Sequence, residues 1–350
     1  MATEKKQKMA SIEERLKPDT MLKIIYDSAD GSDEEEEPPR FIIAYWSIRG
    51  LAAPIRAMLS AAQINHKVAL YDEKELGETA MWDMKSYVTD KKWLREEFNA
   101  FMNLPFLVDC HKGIVIAQTN AIFLYLSREL NMCGKDSVQQ AKIDEMMCET
   151  MDFRDKMVAF AYRSDGSKEK AHELLKNAKA HIRKFEAHLA EQYPDYFKNM
   201  DPPNSENAEE KTAAEAKEGV AHLIPGIFTA PDFHLWEMLD QYEGLARCFD
   251  LPLWAEDGED KNTAVYFHCR PDVKPADRLY PYLEEFRNTF MSLPENAHYI
   301  GSFLHNEIPC NNPTAVFAST VDDFKPYTRG QEAPWRAKGE VLVRCKKVST

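Results

Sequence analysis

A small mixed α/β domain followed by an all-helical one is the fold class that the sequence predicts, on two observations. Between residues 41 and 130, short runs of strand-forming apolar residues alternate with segments of helical periodicity. From about residue 138 the strand signals stop, and apolar residues recur every three or four positions.

The first strand is Phe41 to Tyr45, where Phe41, Ile42 and Ile43 favour an extended chain. A helix from Ala52 to Ala62 follows, then a strand from Lys67 to Tyr71 and a polar stretch with a short helix around Lys91 to Phe98. The runs "LPFLVD" and "GIVIAQ", split by "CHKG", form a hairpin signal, and a last helix covers Asn120 to Leu130. The order βαβ, helix, ββα suits a four-stranded mixed sheet with helices on both faces.

Residues 131 to 137, "NMCGKDS", are a compact linker by their Gly, Asn and Ser content. Beyond them Ile143, Met146, Met147, Met151, Val158 and Ala161 lie at helical spacing, with similar patterns at 171 to 192, 232 to 248, 277 to 291 and 295 to 305. The all-helical domain is therefore expected over 138–305, interrupted by a surface insertion at 198–226 rich in Pro, Asn, Glu and Ala. Residues 1–40 end in "DSADGSDEEEEPPR" and read as a disordered acidic tail, although "MLKIIYD" within them is apolar enough for a strand. Residues 306–350 show little periodicity and read as a C-terminal extension.

The 350 residues carry a net charge of -14, which argues against a nucleic acid partner or an anionic membrane surface. No apolar run is long enough to span a bilayer, and "MATEKKQKMASIEERLK" lacks the hydrophobic centre of a secretory signal, so a cytosolic address is expected. Seven scattered cysteines with no CxxC read as reduced thiols. Neither HExxH nor a Cys/His cluster of zinc-like spacing occurs, so no metal is expected.

Three short motifs carry chemistry. Pro105 in "NLPFLVD" opens a strand; with a cis bond before it, Leu104 would present its backbone N–H and C=O to an extended ligand. In "AQTNAIFLYL", Thr119 is a good N-cap, and the N–H groups behind it suit a carboxylate, with Gln118 offering an amide beside them. "TAPDFHLWEMLDQY" starts a helix with Thr229 and Asp232 as a capping box.

With "AYWSIRGLAAPIR", these signals fall in an order that resembles the cytosolic glutathione transferases, the mu class in particular. The likeness continues through "KKWLREEF", "NLPFLVD", "AQTNAI", "NMCG", "CETMDFR", "LDQY" and "PTAVFA", covering roughly residues 41 to 318. It implies a thioredoxin-like domain followed by a helical one, and glutathione as co-substrate. It further implies Tyr45 as the catalytic residue, its hydroxyl donating to the glutathione sulfur. A thiol titrates near pKa 8.5, and about 1.4 kcal/mol of selective stabilisation of the thiolate lowers that by one unit. Two units make the nucleophile dominant at neutral pH.

By the same resemblance, Gln118 and Thr119 hold the γ-glutamyl end, Leu104 ahead of Pro105 pairs with the cysteinyl unit, and Trp46 and Trp93 flank the tripeptide. Asp152 reaches the γ-glutamyl amine across a homodimer interface, and Tyr162 lines the pocket for a hydrophobic electrophile. Two departures stand out. A lysine that faces the glycine carboxylate in the family is Glu97 here, so Lys92 or Arg95 would have to compensate, and Lys91 is the substitute for an arginine that cannot be placed. The implied activity is detoxifying conjugation in the cytosol. The alternatives are a glutathione-dependent isomerase of sigma type and a non-catalytic binding or scaffold protein. A thiol oxidoreductase would need a cysteine where Tyr45, Trp46 and Ser47 stand.

Overall fold

The structure, a computed structural model, describes residues 12–27, 37–72, 74–75, 82–197, 219–253, 278–312, 314–317 and 339–348. The chain divides into two compact units, one of Met1–Asn131 with Pro294–Thr350 and one of Met132–Leu293.

In the first unit, β1 (Thr20–Asp27) precedes β2 (Phe41–Trp46), α1 (Ala53–Ala61), β3 (His66–Tyr71), a ribbon of β4 (Lys74–Glu75) with β5 (Trp82–Asp83), and α2 (Lys85–Glu97). The hairpin β6 (Phe106–Asp109) and β7 (Ile114–Ala117) leads into α3 (Thr119–Glu129). The sheet runs β7-β6-β2-β3-β1-β8, with β8 spanning Gly339–Lys346. β2 is its centre: it pairs parallel with β3, Tyr45 opposite Leu70, and antiparallel with β6, Ala44 opposite Phe106. Phe41, Ile42, Ile43 and Ala44 are all buried, as a strand covered on both faces requires.

The four expected strands are present in a mixed sheet, the expected hairpin among them, but the sheet has six. The expected tail of residues 1–40 therefore needs correcting. Thr20–Asp27 pairs antiparallel with β3, Leu22 opposite Val68, and Ile12 and Leu16 are buried in the core. The C-terminal extension is corrected in the same way, because β8 lies parallel to β1 from Thr20↔Gly339 to Asp27↔Lys346. The acidic run at 28–36 and residues 318–338 lie outside the described residues.

Residues 295–305, expected as one helix of the helical domain, instead belong to the sheet unit as short pieces. These are a 3-10 turn (Pro294–Asn296), α8 (Ala297–Ile300), which packs on α1, and α9 (Phe303–Asn306). The extended backbone of Ser302 (φ -87°, ψ 159°) breaks the run.

The second unit is built from α4 (Ser137–Arg163), α5 (Lys168–Gln192), α6 (Ala230–Cys248) and α7 (Pro281–Ser292). Asp136 caps α4, accepting from the Val138 and Gln139 N–H groups at 2.9 Å. From Ala230 to Ala246 every residue of α6 is buried, which makes it the core helix. The box at its start is formed: Asp232 accepts from the Thr229 N–H at 2.6 Å and the Thr229 hydroxyl at 2.7 Å. Asp232 also accepts from the Leu223 N–H at 2.6 Å, and Val220, Ala221 and Leu223 are buried. The end of the expected surface insertion is thus part of the core, while 198–218 lie outside the described residues.

Glu186 on α5 receives the first N–H groups of α7, from Tyr282 at 3.1 Å and Leu283 at 2.9 Å. Burial pushes its carboxyl up to about 7, with those two donors and the nearby Glu284 acting against and with the shift respectively. The folded protein then binds more protons at Glu186 than the unfolded chain between about pH 4.5 and 7, so this group's contribution falls as pH rises through that window. Urea unfolding at pH 5 and pH 7 is expected to show the loss, and Glu186→Gln to reduce the difference between the two.

Candidate functional site

The turn that joins β2 to α1 follows directly on the Tyr-Trp pair and is fixed from two sides. Arg56 on α1 is 1% exposed and donates to the Ile48 carbonyl at 2.9 Å and the Trp46 carbonyl at 3.3 Å. From the other side, the carbonyls of Pro309 and Cys310 accept from the N–H groups of Arg49 (2.7 Å) and Gly50 (3.0 Å). Residues 309 and 310, expected as part of a loose extension, are one wall of this turn. Neither partner was visible in sequence. An arginine inside the apolar run Ile55 to Leu59 was the one available signal, since a fully buried guanidinium has to find carbonyls.

Tyr45 is the last residue but one of β2 and is 7% exposed, so its ring is largely buried in the core. Its phenol lies against Gly50: a Cβ added there would stand 2.5 Å from Tyr45 Cε1 and 3.0 Å from its hydroxyl. Gly50 also has φ +41°, a region where a side chain is strained. Trp46 is half-buried and stands edge-on to Tyr87, with centroids 5.0 Å apart.

The Leu104–Pro105 bond is cis, as the sequence reading required. The surroundings of Leu104 differ from expectation. Tyr87 on α2 donates to the Asn103 side chain at 3.3 Å, and its hydroxyl also has a backbone hydrogen bond from Leu104. Burial pushes this hydroxyl up to about 12 against that bond.

At the start of α3 the N-cap is Gln118 rather than Thr119, which is the first helical residue and buried. Gln118 is exposed, has φ +75° and ψ 117°, and makes no side-chain cap bond. Such a backbone in a residue other than glycine is strained, and strain of this kind collects at ligand sites. The helix start carries a positive partial charge with no capping side chain of its own.

The region around Trp93 departs furthest from the reading. Its indole N–H donates to Asp90 at 3.2 Å, and the Arg15 guanidinium lies 4.0 Å over its ring. Arg15 makes a bidentate pair with Glu97 at 2.8 and 2.7 Å. The cation beside Glu97 is therefore neither Lys92 nor Arg95, both exposed, but a residue of the N-terminal segment. Lys91 turns to the Tyr87 ring, 5.5 Å from its centroid. Asp90 was missed altogether; its spacing of three from Trp93 on a helix was the available signal.

Asp152 and Tyr162 lie on α4 in the helical unit, Asp152 exposed and Tyr162 38% exposed. Among the described residues, no group of three or more His, Cys, Asp or Glu side chains could hold a metal, and no helix is long and apolar enough to cross a membrane.

No family model matches the chain. Its curated relatives are mu-class glutathione S-transferases. Glutathione S-transferase Mu 1 of Rattus norvegicus is 35% identical over 138 residues, 39% of this chain and 58% of the relative. Glutathione S-transferase Mu 3 of Homo sapiens is 32% identical over 153 residues, 42% of this chain and 62% of the relative. The matched stretch thus spans less than two thirds of these relatives. Among solved structures, a Pi-class glutathione S-transferase of Onchocerca volvulus aligns with 79% of this chain and 99% of its own, at 19% identity and a TM-score of 0.51. The glutathione S-transferase Blo t 8 aligns with 79% of this chain and 100% of its own, at 18% identity and a TM-score of 0.53. The fold is accordingly a thioredoxin-like domain followed by a helical one.

The fit of Tyr45 against Gly50 yields a test. Gly50→Ala is expected to destabilise the protein by more than about 1 kcal/mol, from the positive φ and the clash together. Denaturant unfolding measures the loss, and a crystal structure of the variant should show the Tyr45 ring displaced.

Proposed function

We propose that the chain is a glutathione transferase, in which Tyr45 holds the thiol of glutathione as thiolate for attack on a hydrophobic electrophile. The observation that carries this is the turn itself: a phenol at the end of the central strand, lodged against a glycine and braced by Arg56, Pro309 and Cys310. A fixed donor stabilises the anion without reorganising. Gln118 and the uncapped start of α3 fit the γ-glutamyl carboxylate. In the reaction the sulfur forms a bond to the electrophilic carbon. With a chlorinated nitrobenzene the C–Cl bond then breaks, chloride leaves, and the thiol proton has gone to solvent. Asp152 acting across a homodimer, Tyr162 lining the electrophile pocket and a detoxifying role in the cytoplasm belong to the same proposal. The relatives' names support it for the family, and the activity of this chain is the step we add.

A second reading, a transferase-like binding or scaffold protein, has its own support. Where the resemblance asks for cations around Trp93, this chain has Asp90 and Glu97, with Arg15 already seated over the indole. Tyr45 is also nearly covered.

Conjugation of glutathione to a chlorinated nitrobenzene separates the two. Activity is expected in the wild type and a loss of about tenfold or more in Tyr45→Phe, with the ultraviolet absorbance of bound thiolate disappearing at neutral pH. Wild type without activity and without retention on immobilised glutathione would leave the scaffold. Glu97→Lys is expected to raise glutathione affinity severalfold, read by calorimetry, at little cost in stability because the Arg15 pair is solvent-exposed.

A further inference from the structure

Strand register sets the candidate residues of the proposed site side by side. The ladder between β2 and β6 stops at Ala44↔Phe106 and the one between β6 and β7 at Phe106↔Ala117, so Tyr45, Pro105 and Gln118 each stand one step beyond it, at one end of the sheet. Trp46 still pairs with Tyr71 of β3. Asn103 and Leu104, the two residues ahead of the cis bond, lie past the ladder on both sides of β6. Their conformation has to be fixed by something other than the sheet.

Tyr87 on α2 does this. Its hydroxyl donates to the Asn103 side chain at 3.3 Å and accepts from the Leu104 N–H, so one oxygen bonds both residues. Its ring is edge-on to Trp46, with centroids 5.0 Å apart, and to Tyr71, at 5.6 Å. A phenol held up at about 12 stays neutral at physiological pH, and a neutral hydroxyl can give one hydrogen bond while taking another. The helix that carries it is itself anchored. Tyr87, Asp90 and Leu94 form the buried face of α2, and Asp90 accepts from the Tyr71 hydroxyl at 2.8 Å.

We propose that Tyr87 is a positioning residue for the thiol ligand: its hydroxyl sets the backbone of Asn103 and Leu104, and its ring sets Trp46, so that both are in place before the ligand arrives. The inference rests on the transferase reading, in which Leu104 and Trp46 meet the tripeptide, and adds to it the side chain that acts through them. Tyr87 is 6% exposed, as a brace should be. A segment already fixed in the free protein loses less freedom on binding, so the effect falls on affinity. Chemistry at the sulfur is separate, because the turn beside Tyr45 has its own braces in Arg56, Pro309 and Cys310.

The test uses the full chain, conjugation of glutathione to a chlorinated nitrobenzene, and Tyr87→Phe, which keeps the ring and removes the hydroxyl. KM for glutathione is expected to rise about three- to tenfold, the worth of the lost hydrogen bonds, while kcat stays within about twofold. Calorimetry should give the same fold loss of glutathione affinity, and amide hydrogen exchange at Leu104 should quicken in the free protein. Tyr87→Leu, which also takes the ring from Trp46, should raise KM further; should it fail to fold, Tyr87→Phe still decides. Three results with Tyr87→Phe would overturn the assignment. Unchanged binding would make Tyr87 packing alone, tighter binding would mean that it withholds the Leu104 N–H from the ligand, and a fall in kcat as large as the rise in KM would place its effect on Tyr45. A wild type that neither binds nor conjugates glutathione would remove the transferase reading and this inference with it, whereas an active enzyme indifferent to Tyr87→Phe would remove this inference only.

Discussion

Three donors converge on the carboxylate of Asp90, which is 1% exposed: the Tyr71 hydroxyl at 2.8 Å, the Lys17 backbone N–H at 2.7 Å and the Trp93 indole at 3.2 Å. A buried carboxylate lacking such partners would cost several kcal/mol, so the three elements that supply them are held to one another. Tyr71 ends β3, Trp93 is on α2, and Lys17 closes the helical turn at residues 12–15. Through this group, together with the Arg15–Glu97 pair, the N-terminal segment is laid over α2, and Ile12 and Leu16 join the same core cluster as Leu94 and Met102. The burial of Tyr71 and its bond to Asp90 both hold that phenol well above its ordinary range, so it remains a donor at any physiological pH.

The two ends of the proposed site are consequently built differently. At the Tyr45 end, the carbonyls of Trp46 and Ile48 accept from Arg56, the N–H groups of Arg49 and Gly50 donate to Pro309 and Cys310, and the ring lies close against Gly50. At the Gln118 end, the backbone is strained and the helix start is bare of capping side chains. A preorganised donor at one end and an unspent positive dipole at the other is the arrangement expected of a site that grips an anion along its length. Trp93, also a candidate for the site, is covered by Arg15.

The four inner strands were legible because β2, β3, β6 and β7 are short, apolar and bounded by turn residues, and β6–β7 are joined by a four-residue signal. β1 showed the same apolar character in "MLKIIYD" and was still read as tail. Its worth depends on β3 and on β8, whose register partner for Thr20 is Gly339, and pairing at that separation leaves no local mark. Helix positions in the second unit followed from periodicity alone, whereas the break at Ser302 depended on a single extended residue that any helical count would overlook. Among the candidate site residues, the places of Tyr45, Gln118 and Pro105 in the fold were legible because each sits at the edge of an element. Arg15, Asp90 and Tyr87 were not, because their roles come from what the N-terminal segment and α2 bring to them in space.

The cover over Trp93 is not of uniform strength. Arg15 and Glu97 have side chains 39% and 40% exposed, and an ion pair in that setting is screened by water and salt and contributes little. Ile12 and Leu16 are buried, and the Lys17 N–H is tied to a buried carboxylate, so the backbone of the segment is anchored far more firmly than the guanidinium it carries. An anionic ligand arriving at this end would therefore meet a segment that stays put and a side chain that can swing. On the transferase reading, Arg15 would exchange Glu97 for the ligand and supply from residue 15 the cation that position 97 lacks. On the transferase reading Glu97 therefore competes with the ligand for Arg15 rather than standing in for the missing lysine.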